Sequence, residues 1–374
     1  MLLDIKKIWN TFYPLIFSTL MIILVNSSAF AQNPSYNTRI SLLYEQINKK
    51  LKDSSTGLYY EATNHSKNEN KYSFLWPLCA YIQAANEMER ITPKKNYLSP
   101  VLKAIHQYYY AKSTYPAYQA YVTKEKKESL YYDDNQWLAI ALLDAYQNRP
   151  HKKSYLKISK MICNFMISGL DTVTGGGFYW REGDKTTKNT CSNGPGIIVL
   201  LNLYKITKDP YFLQTAIKIY NWVNKTLQSP DALFYDNIRT SDLQVNKIKY
   251  TYNTGTMLQS NVLLYEITKN KKYLNEAERI AKAGEKYFFK NGRLPNGYWF
   301  NTVLFRGYEA LFKFDRNKTW INLFQKDADE IWKNERDSNN MLGTKPEKTL
   351  IDQAAMIEIY ARLEKIKTTF IRAK

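Results

Sequence analysis

The sequence predicts an all-α protein in which six inner and six outer helices form an (α/α)6 barrel. Three observations support this prediction: helical segments recur along the chain, the connections between them fall into two length classes, and alternate segments differ in charge. A recurrence at roughly 50 to 60 residues is typical of helical hairpins arranged in an array or a closed ring.

Apolar residues at helical spacing predict about twelve segments. The odd-numbered segments start near Ser35, Asn96, Lys153, Pro210, Lys272 and Lys318. The even-numbered segments start near Tyr72, Asp133, Asn189, Thr251, Asn301 and Thr349. Successive segments therefore form a series of similar hairpins.

Short and long connections alternate along the chain. A tight turn follows the even segments, at residues 90–95, 148–152, 207–209, 269–271 and 315–317. A long connection follows each odd segment, at residues 53–71, 113–131, 169–188, 228–250, 291–300 and 334–348. All the long connections then lie on one rim, and long loops in a compact domain are usually functional. We expect the functional site on the rim where the even helices begin.

The two sets of segments also differ in charge. Residues 189–204 contain no charged side chain, and residues 250–268 contain only Glu266. Helices without a charged face must be surrounded by protein, whereas residues 210–228 and 271–290 each combine one apolar stripe with one charged face. The even segments are therefore assigned to the inner ring and the odd segments to the outer ring. An open helical solenoid is the alternative, because periodicity does not show closure.

Residues 1–31 have the pattern of a signal peptide. Lys6 and Lys7 precede an apolar run at residues 13–25, and Ala29 and Ala31 form an A-x-A-like cleavage site. The run has about 13 residues, against the roughly 20 that a membrane-spanning helix needs. We expect cleavage after Ala31, export to the periplasm or the outside of the cell, no membrane insertion, and a single domain at residues 32–374.

The cysteines and histidines exclude several kinds of site. Cys79, Cys163 and Cys191 lie far apart and match neither a disulfide framework nor a zinc-ligand pattern. They are interpreted as small buried residues, with one bridged pair left open. The three histidines have no second metal ligand or plausible nucleophile beside them. The sequence therefore predicts no metal, no cofactor and no Ser-His triad.

The formal charge of +19 raises the question of a nucleic-acid partner. The lysines are spread along the chain, however, and fall mostly on the polar faces of predicted helices, as with Lys218, Lys225 and Lys282. A dispersed excess is typical of a solvated surface. We therefore expect no nucleic-acid partner, and we expect a monomer.

Residues 131–137, with the sequence YYDDNQW, lead from a long connection into an inner helix. One carboxylate there is an ordinary helix cap, but Asp133 and Asp134 place two carboxylates among aromatic residues on the functional rim. Glycoside cleavage needs an acid to protonate the leaving oxygen and a carboxylate to attack or stabilise the anomeric carbon. Consecutive residues reach the roughly 5 to 5.5 Å separation of retaining enzymes more readily than the roughly 6.5 to 9.5 Å of inverting ones. The helix N-terminus favours one ionised carboxylate, whose charge raises the pKa of its neighbour.

The segment YYDDNQWLAIALLDAY resembles the Asp-Asp motif of glycoside hydrolase family 76, the endo-α-1,6-mannanases. Further segments resemble the landmarks of that family in the same order: GGGFYWRE, KNTCSNGPGIIVLLNLYKITKDPYFL, ALFYDNI, YTYNTGTMLQSNVLLYEITKNKKYLNEAERIA and FRGYEALFKF. The resemblance implies an (α/α)6 catalytic domain and an α-mannan substrate. It also implies a retaining mechanism with Asp133 as nucleophile and Asp134 as general acid/base. Gln136 and Leu138 depart from residues common in the family, which bears on the substrate more than on the chemistry.

Residues near the starts of the even helices are expected to bind substrate. Aromatic rings can stack on the apolar face of a sugar, while amides and carboxylates bind its hydroxyl groups. The expected aromatic residues are Trp76, Tyr132, Trp180, Tyr252 and Trp299, and the expected polar residues are Asn135, Asp236 and Asn253. Core packing, capping and turn formation are the competing interpretations, and core packing is preferred for Trp137, Trp222 and Trp332.

Several other functions fit parts of the pattern. A transglycosylase of the same family would use the same carboxylates, and an inverting (α/α)6 glycosidase would need a distant base such as Asp236 or Asp352. A mannan-binding protein would keep the groove but not cleave, and a helical scaffold for protein partners would have no carbohydrate affinity. The adjacent carboxylates favour an enzyme, since binding gives no reason to hold two like charges together.

Overall fold

Twelve helices alternate between two concentric rings in the computed structural model, which describes residues 34–65, 70–149, 152–295 and 297–372. The inner ring consists of α2 (Leu75–Ile91), α4 (Tyr132–Asn148), α6 (Thr190–Thr207), α8 (Thr251–Thr268), α10 (Tyr298–Asp315) and α12 (Leu350–Arg372). The outer ring consists of α1 (Tyr36–Gln46), α3 (Leu98–Ile105), α5 (Lys153–Ile167), α7 (Pro210–Leu227), α9 (Lys271–Phe288) and α11 (Lys318–Asn334).

The inner ring is closed. Each inner helix packs against the next one, and α12 packs against α2. The outer helices pack on this ring, as α5 does on α4 and α7 on α6. The predicted (α/α)6 barrel is therefore confirmed, and the open solenoid is excluded. The predicted signal peptide at residues 1–31 lies outside the described residues.

The inner helices approach each other closely where glycine removes a side chain. A Cβ atom added to Gly255 of α8 would lie 2.6 Å from the Cα of Leu304 in α10. A Cβ atom added to Gly307 of α10 would lie 2.8 Å from the carbonyl oxygen of Gly255. Both obstacles are backbone atoms, so the packing of α8 on α10 depends on these two glycines.

Three tight turns repeat the same local chemistry. Before these turns, three inner helices end at a residue with left-handed backbone: Lys208 after α6, Lys269 after α8 and Arg316 after α10. The next residue caps the following outer helix: the side chains of Asp209, Asn270 and Asn317 each accept a backbone N–H two residues later, at 3.0 Å. A left-handed stop followed by an Asx cap reverses the chain within a few residues. The short-turn rim is therefore encoded locally.

The long connections contain short strands that the sequence pattern did not predict. Strands β1 (Tyr109–Tyr110) and β2 (Ala117–Tyr118) form one antiparallel pair. Strands β3 (Thr187–Asn189), β4 (Tyr235–Arg239) and β5 (Val245–Lys249) form an antiparallel sheet in that order. The long connection at residues 228–250 thus contains a β-hairpin that extends the rim.

Buried ion pairs fill the barrel below this rim. Arg362 of α12 forms ion pairs with Glu87 of α2, Glu309 of α10 and Glu358 of α12. Arg306 of α10 forms a second pair with Glu358 at 2.7 Å. These shared carboxylates link three inner helices, and each charge has its partner, as buried charges require.

Other sequence-based expectations can be compared with the described residues. Cys79, Cys163 and Cys191 are buried and free, which excludes the bridged pair that the sequence left open. Among the described helices, none is both long and apolar enough to cross a bilayer. Within the same ranges, no group of three or more His, Cys, Asp or Glu side chains is arranged to hold a metal ion.

Candidate active site

A cleft of about 900 Å³ opens on the rim where the inner helices begin. The long connections and the first turns of α2, α4, α6, α8 and α10 form its walls. Seven of the ten residues predicted for the site line it: Trp76, Asp133, Asp134, Trp180, Asp236, Tyr252 and Trp299. The position of the cleft is the one that the loop lengths predicted.

Asp133 and Asp134 lie side by side in the first turn of α4, and both are partly exposed. The Oδ2 atom of Asp133 accepts a hydrogen bond from the indole Nε1 of Trp180 at 3.0 Å. Its Oδ1 atom accepts the backbone N–H of Asp134 at 3.1 Å. The Asp133 carboxylate is therefore held by donors, as a group that carries negative charge should be. The thiol of Cys79 donates to the backbone oxygen of Asp134 at 3.2 Å and so ties this turn to α2.

The two carboxyl groups differ in their affinity for a proton. Burial raises the pKa of Asp133 to about 6, and the hydrogen bonds from Trp180 and Cys191 oppose that rise. Burial and then the charge of Asp133 raise the pKa of Asp134 well above its usual range. Asp133 therefore ionises first, and Asp134 keeps its proton beside it. Two identical side chains thus become a carboxylate and a carboxylic acid at the same pH.

A buried lysine holds the connection that carries Trp180. The Nζ atom of Lys188, which lies in β3, donates to Asp171 Oδ1 at 2.6 Å and to the backbone oxygens of Val173 and Gly176 at 2.8 and 2.7 Å. The backbone oxygen of Trp180 then accepts the N–H of Tyr132 at 3.0 Å. The 168–189 connection is thereby fixed to the first turn of α4, and the Trp180 indole is placed against Asp133.

Asn135 holds a loop and does not reach the cleft, which corrects the expectation that it binds substrate. Its Oδ1 accepts the backbone N–H of Tyr118 at 2.9 Å, and its Nδ2 donates to the backbone oxygens of Tyr118 and Tyr131 at 2.8 and 2.9 Å.

The same three kinds of bond recur in two other inner helices. Asn193 in α6 makes them to Phe178 and Asn189, and Gln353 in α12 makes them to Leu342 and Thr349. An amide in the first turn of an inner helix therefore pins a rim connection at three places in the ring.

Tyr132 is a second correction. Its ring is 4.8 Å from that of Phe165 in α5, and it lies against Gly169, where an added Cβ would come within 2.6 Å of the ring. Tyr132 is therefore a core residue behind α4, and its neighbour Tyr131 lines the cleft instead. Consecutive residues of a helix leave its axis about 100° apart, so Tyr132 can face the core while Tyr131 and Asp133 on either side of it line the cleft.

The aromatic residues of the cleft differ in what they can offer a ligand. Trp76 and Trp180 are 37% and 39% exposed, so their rings are available for stacking on a sugar. Tyr252 is half-buried, with its ring 4.2 Å from that of Phe300. Trp299 lines the cleft but is only 3% exposed, which corrects the expectation that it stacks on substrate.

Asp236 is a third carboxylate of the cleft, on β4 at an irregularity of register between Tyr235 and Asn237. Its Oδ1 accepts from the Nδ2 of Asn253 at 3.4 Å, and its Oδ2 accepts from the Nδ2 of Asn237 at 2.8 Å. Burial raises the pKa of Asp236, and these two amides oppose the rise. Asn253 is fully buried and does not line the cleft, so it supports Asp236 rather than facing a ligand as predicted.

Sequence reasoning missed several cleft residues. Cys191 contacts Asp133 from α6, and Phe300 and Tyr250 support Tyr252. Each lies within two residues of a predicted helix start, so position alone could have indicated them. Nothing in the pattern distinguishes Cys191, since a small residue in an uncharged inner helix predicts core packing.

Comparisons with known proteins agree with this architecture. A model of glycosyl hydrolase family 76 matches residues 26–374. A family 76 α-mannanase of Bacteroides thetaiotaomicron superposes with a TM-score of 0.85 at 27% identity, covering 91% of this chain and 98% of that one. An α-1,6-mannanase of Salegentibacter sp., solved as an inactive variant with α-1,6-mannotriose, superposes with a TM-score of 0.77 at 22% identity, covering 89% of this chain and 100% of that one.

A curated relative is the mannan endo-1,6-alpha-mannosidase DCW1 of Candida glabrata. It is 26% identical over 178 residues, which are 43% of this chain and 40% of that protein. The chain therefore spans less than half the length of this relative.

Proposed function

The chain belongs to glycoside hydrolase family 76, and from that premise we propose that it hydrolyses α-1,6-mannosidic linkages in α-mannan with retention of configuration. The observation that carries the proposal is the pair Asp133 and Asp134 on an open cleft, with one carboxylate held by donors and its neighbour favouring the protonated state. The names of the relatives, which include mannanases and a mannan endo-1,6-mannosidase, support the choice of substrate.

In the first step, the ionised Asp133 attacks the anomeric carbon of a mannose unit. The carboxyl proton of Asp134 passes to the glycosidic oxygen, so the bond to the leaving sugar breaks as a covalent mannosyl-enzyme forms. The Trp180 indole orients the attacking carboxylate through its hydrogen bond to Oδ2. Asp134 is left as a carboxylate.

In the second step, Asp134 takes a proton from a water molecule that attacks the same carbon. The ester bond to Asp133 breaks, and both side chains return to their starting protonation states. The two displacements leave the anomeric configuration unchanged. The open cleft, with exposed Trp76 and Trp180 in its walls, supports binding within a polymer and hence endo action.

The test is hydrolysis of debranched α-mannan and α-1,6-mannotriose by the wild type and by Asp133→Asn and Asp134→Asn. Each variant is expected to lose at least 10³-fold in kcat, on the order of the acid/base and covalent contributions combined, and to keep its affinity for the trisaccharide. Proton NMR of the first product gives the anomeric configuration, and product sizing gives endo or exo action. Affinity without turnover in the wild type would instead indicate a binding protein.

Asp236→Asn and Asp352→Asn are the matched controls. Asp236 lines the cleft as a hydroxyl-binding candidate, whereas Asp352 lies outside it and accepts from the hydroxyl of Thr349. We expect Asp352→Asn to leave kcat unchanged and Asp236→Asn mainly to raise KM. An inverted first product together with loss of kcat in Asp236→Asn would contradict the retaining mechanism.

We also propose that the protein is exported, because residues 1–31 have the pattern of a signal peptide. An exported hydrolase would meet α-mannan in the periplasm or outside the cell.

A further inference from the structure

Trp137 connects the helix of the acid pair to one wall of the cleft. It lies on α4 one turn after Asp133, and its ring is 4.9 Å from that of Trp299 in an edge-to-face contact. The ring of Trp299 is in turn 5.5 Å from that of Trp76, again edge to face. Trp137 and Trp299 are buried, whereas Trp76 is open to the cleft. These three rings, here called the tryptophan row, lead from the interior of the barrel to the cleft.

Arg306 lies beneath the inner end of the tryptophan row. Its guanidinium carbon is 5.5 Å from the centroid of the Trp137 ring. Its Nε and Nη2 atoms donate to the two carboxylate oxygens of Glu358, both at 2.7 Å. A bidentate pair fixes the plane of a guanidinium, and a cation near an indole ring is attracted to it. Both partners are buried, so neither contact is weakened by solvent.

Arg362 shares the same carboxylate but plays a different part. Its Nε donates to Glu358 Oε1 at 2.8 Å, and it also pairs with Glu87 and Glu309. Of the two arginines bound to Glu358, Arg306 is the one that contacts an aromatic ring of the cleft within the part of the chain that the structure describes. Buried ion pairs are often no more stabilising than apolar side chains of the same volume, so the contact with Trp137 gives Arg306 a further role.

We propose that Arg306 is a positioning residue for substrate binding: held by Glu358, it fixes Trp137 and, through the tryptophan row, the ring of Trp76 that the substrate meets. The proposed function supplies the identity of the ligand. The effect is expected on KM, because Trp76 is exposed in the cleft as a stacking surface, whereas Asp133 and Asp134 carry the proposed reaction. Trp180 holds the reactive carboxylate independently, so kcat and the pH profile keep their wild-type form.

The experiment is steady-state hydrolysis of α-1,6-mannotriose by Arg306→Met, with Arg362→Met as matched control. Both variants remove one arginine from Glu358, so both lower the thermal midpoint. Arg306→Met alone is expected to raise KM by about threefold to tenfold, the range of one lost cation–π contact, with kcat unchanged. Combining Arg306→Met with Trp76→Phe is expected to give less than the product of the single effects, since both act on one ring.

Near-UV circular dichroism provides a readout that does not depend on turnover. Arg306→Met is expected to change the tryptophan signal more than Arg362→Met does, because it loosens the tryptophan row. If either methionine variant fails to fold, Arg306→Lys and Arg362→Lys replace the pair, since each keeps the charge and loses the fork. The inference would be overturned by equal KM values in the two variants, or by KM effects of Arg306→Met and Trp76→Phe that simply multiply in the double variant. Turnover by the wild type would in that case leave the proposed function intact. A wild type that neither binds nor cleaves the trisaccharide would contradict the proposed function itself, and the circular dichroism would still show whether Arg306 fixes the tryptophan row.

Discussion

Trp180→Phe should shift the acid limb of the pH profile towards neutral pH. The change keeps an aromatic ring on the cleft but removes the only side-chain N–H seen to donate to Asp133 Oδ2 among the described residues. That bond stabilises the ionised carboxylate, and without it the proton binds more tightly. The ionised form attacks substrate, so activity at low pH is lost first.

The size of the shift follows from the strength of the bond. A hydrogen bond to a charged group contributes about 1.5 to 3 kcal/mol, and the lower end applies because Trp180 is 39% exposed to solvent. One pKa unit corresponds to about 1.4 kcal/mol, so the loss raises the pKa of Asp133 by about one unit. With a wild-type value of about 6, the acid limb of kcat/KM is expected near pH 7 in the variant.

The assay is kcat/KM for α-1,6-mannotriose at pH values from about 4 to about 9, a range that includes the acid limb expected for Asp133 in both proteins. Trp76→Phe is the matched control, because Trp76 has similar exposure in the same cleft and its contacts are aromatic. It is expected to raise KM without moving the acid limb. An unmoved limb in Trp180→Phe, or an equal shift in both variants, would refute the assignment of Asp133 as the ionised nucleophile held by Trp180.

Further predictions concern stability and processing. Gly255→Ala is expected to cost about 1 to 3 kcal/mol in urea unfolding, because its Cβ meets backbone atoms of α10 that cannot move aside. Lys188→Met is expected to cost about 3 kcal/mol or more and to speed hydrogen exchange at residues 171–177, whereas the exposed Lys185→Met should be neutral. Intact-mass analysis of the exported protein should give a chain starting after Ala31, and a chain retaining residues 1–31 would contradict the leader assignment.

The helices could be predicted from sequence because their boundaries depend on local chemistry. The outer helices expected near Pro210, Lys272 and Lys318 begin at Pro210, Lys271 and Lys318. Each follows a left-handed residue and an Asx cap, both of which act within a few residues of the chain. Closure of the ring could not be predicted, since it depends on the contact between α12 and α2, which are far apart in sequence.

The strands of the rim were missed for a related reason. Strand β4 pairs with β5 in a hairpin, but it also pairs with β3, so Asn237 lies opposite Asn189 from a distant connection. Strands of three to five residues carry too few alternations to outweigh the turn-forming residues around them. The sheet is therefore a tertiary feature that local patterns do not specify.

The position of the cleft was predicted better than the orientation of the side chains around it. Inner helices are covered by protein on all sides, so no charged face shows which residues point to the cleft. Asp133 and Trp76 face it, whereas Tyr132 and Asn135 point into the protein. Asn135 instead belongs to a structural motif of the ring, because amides in the first turns of α6 and α12 make the same bonds to their own loops.

These amides explain how two adjacent carboxyl groups can be held in an electrostatically unfavourable arrangement. Two carboxyl groups in one helical turn repel each other when both are charged, and partial burial disfavours each charge further. A flexible turn would relieve that strain by rotating one group into solvent. Asn135 prevents this by binding the backbone before the turn and the β2 strand beside it, and Cys79 ties Asp134 to α2. These contacts fix the turn within the folded barrel, and the fold thereby maintains the unequal proton affinities on which the proposed chemistry depends.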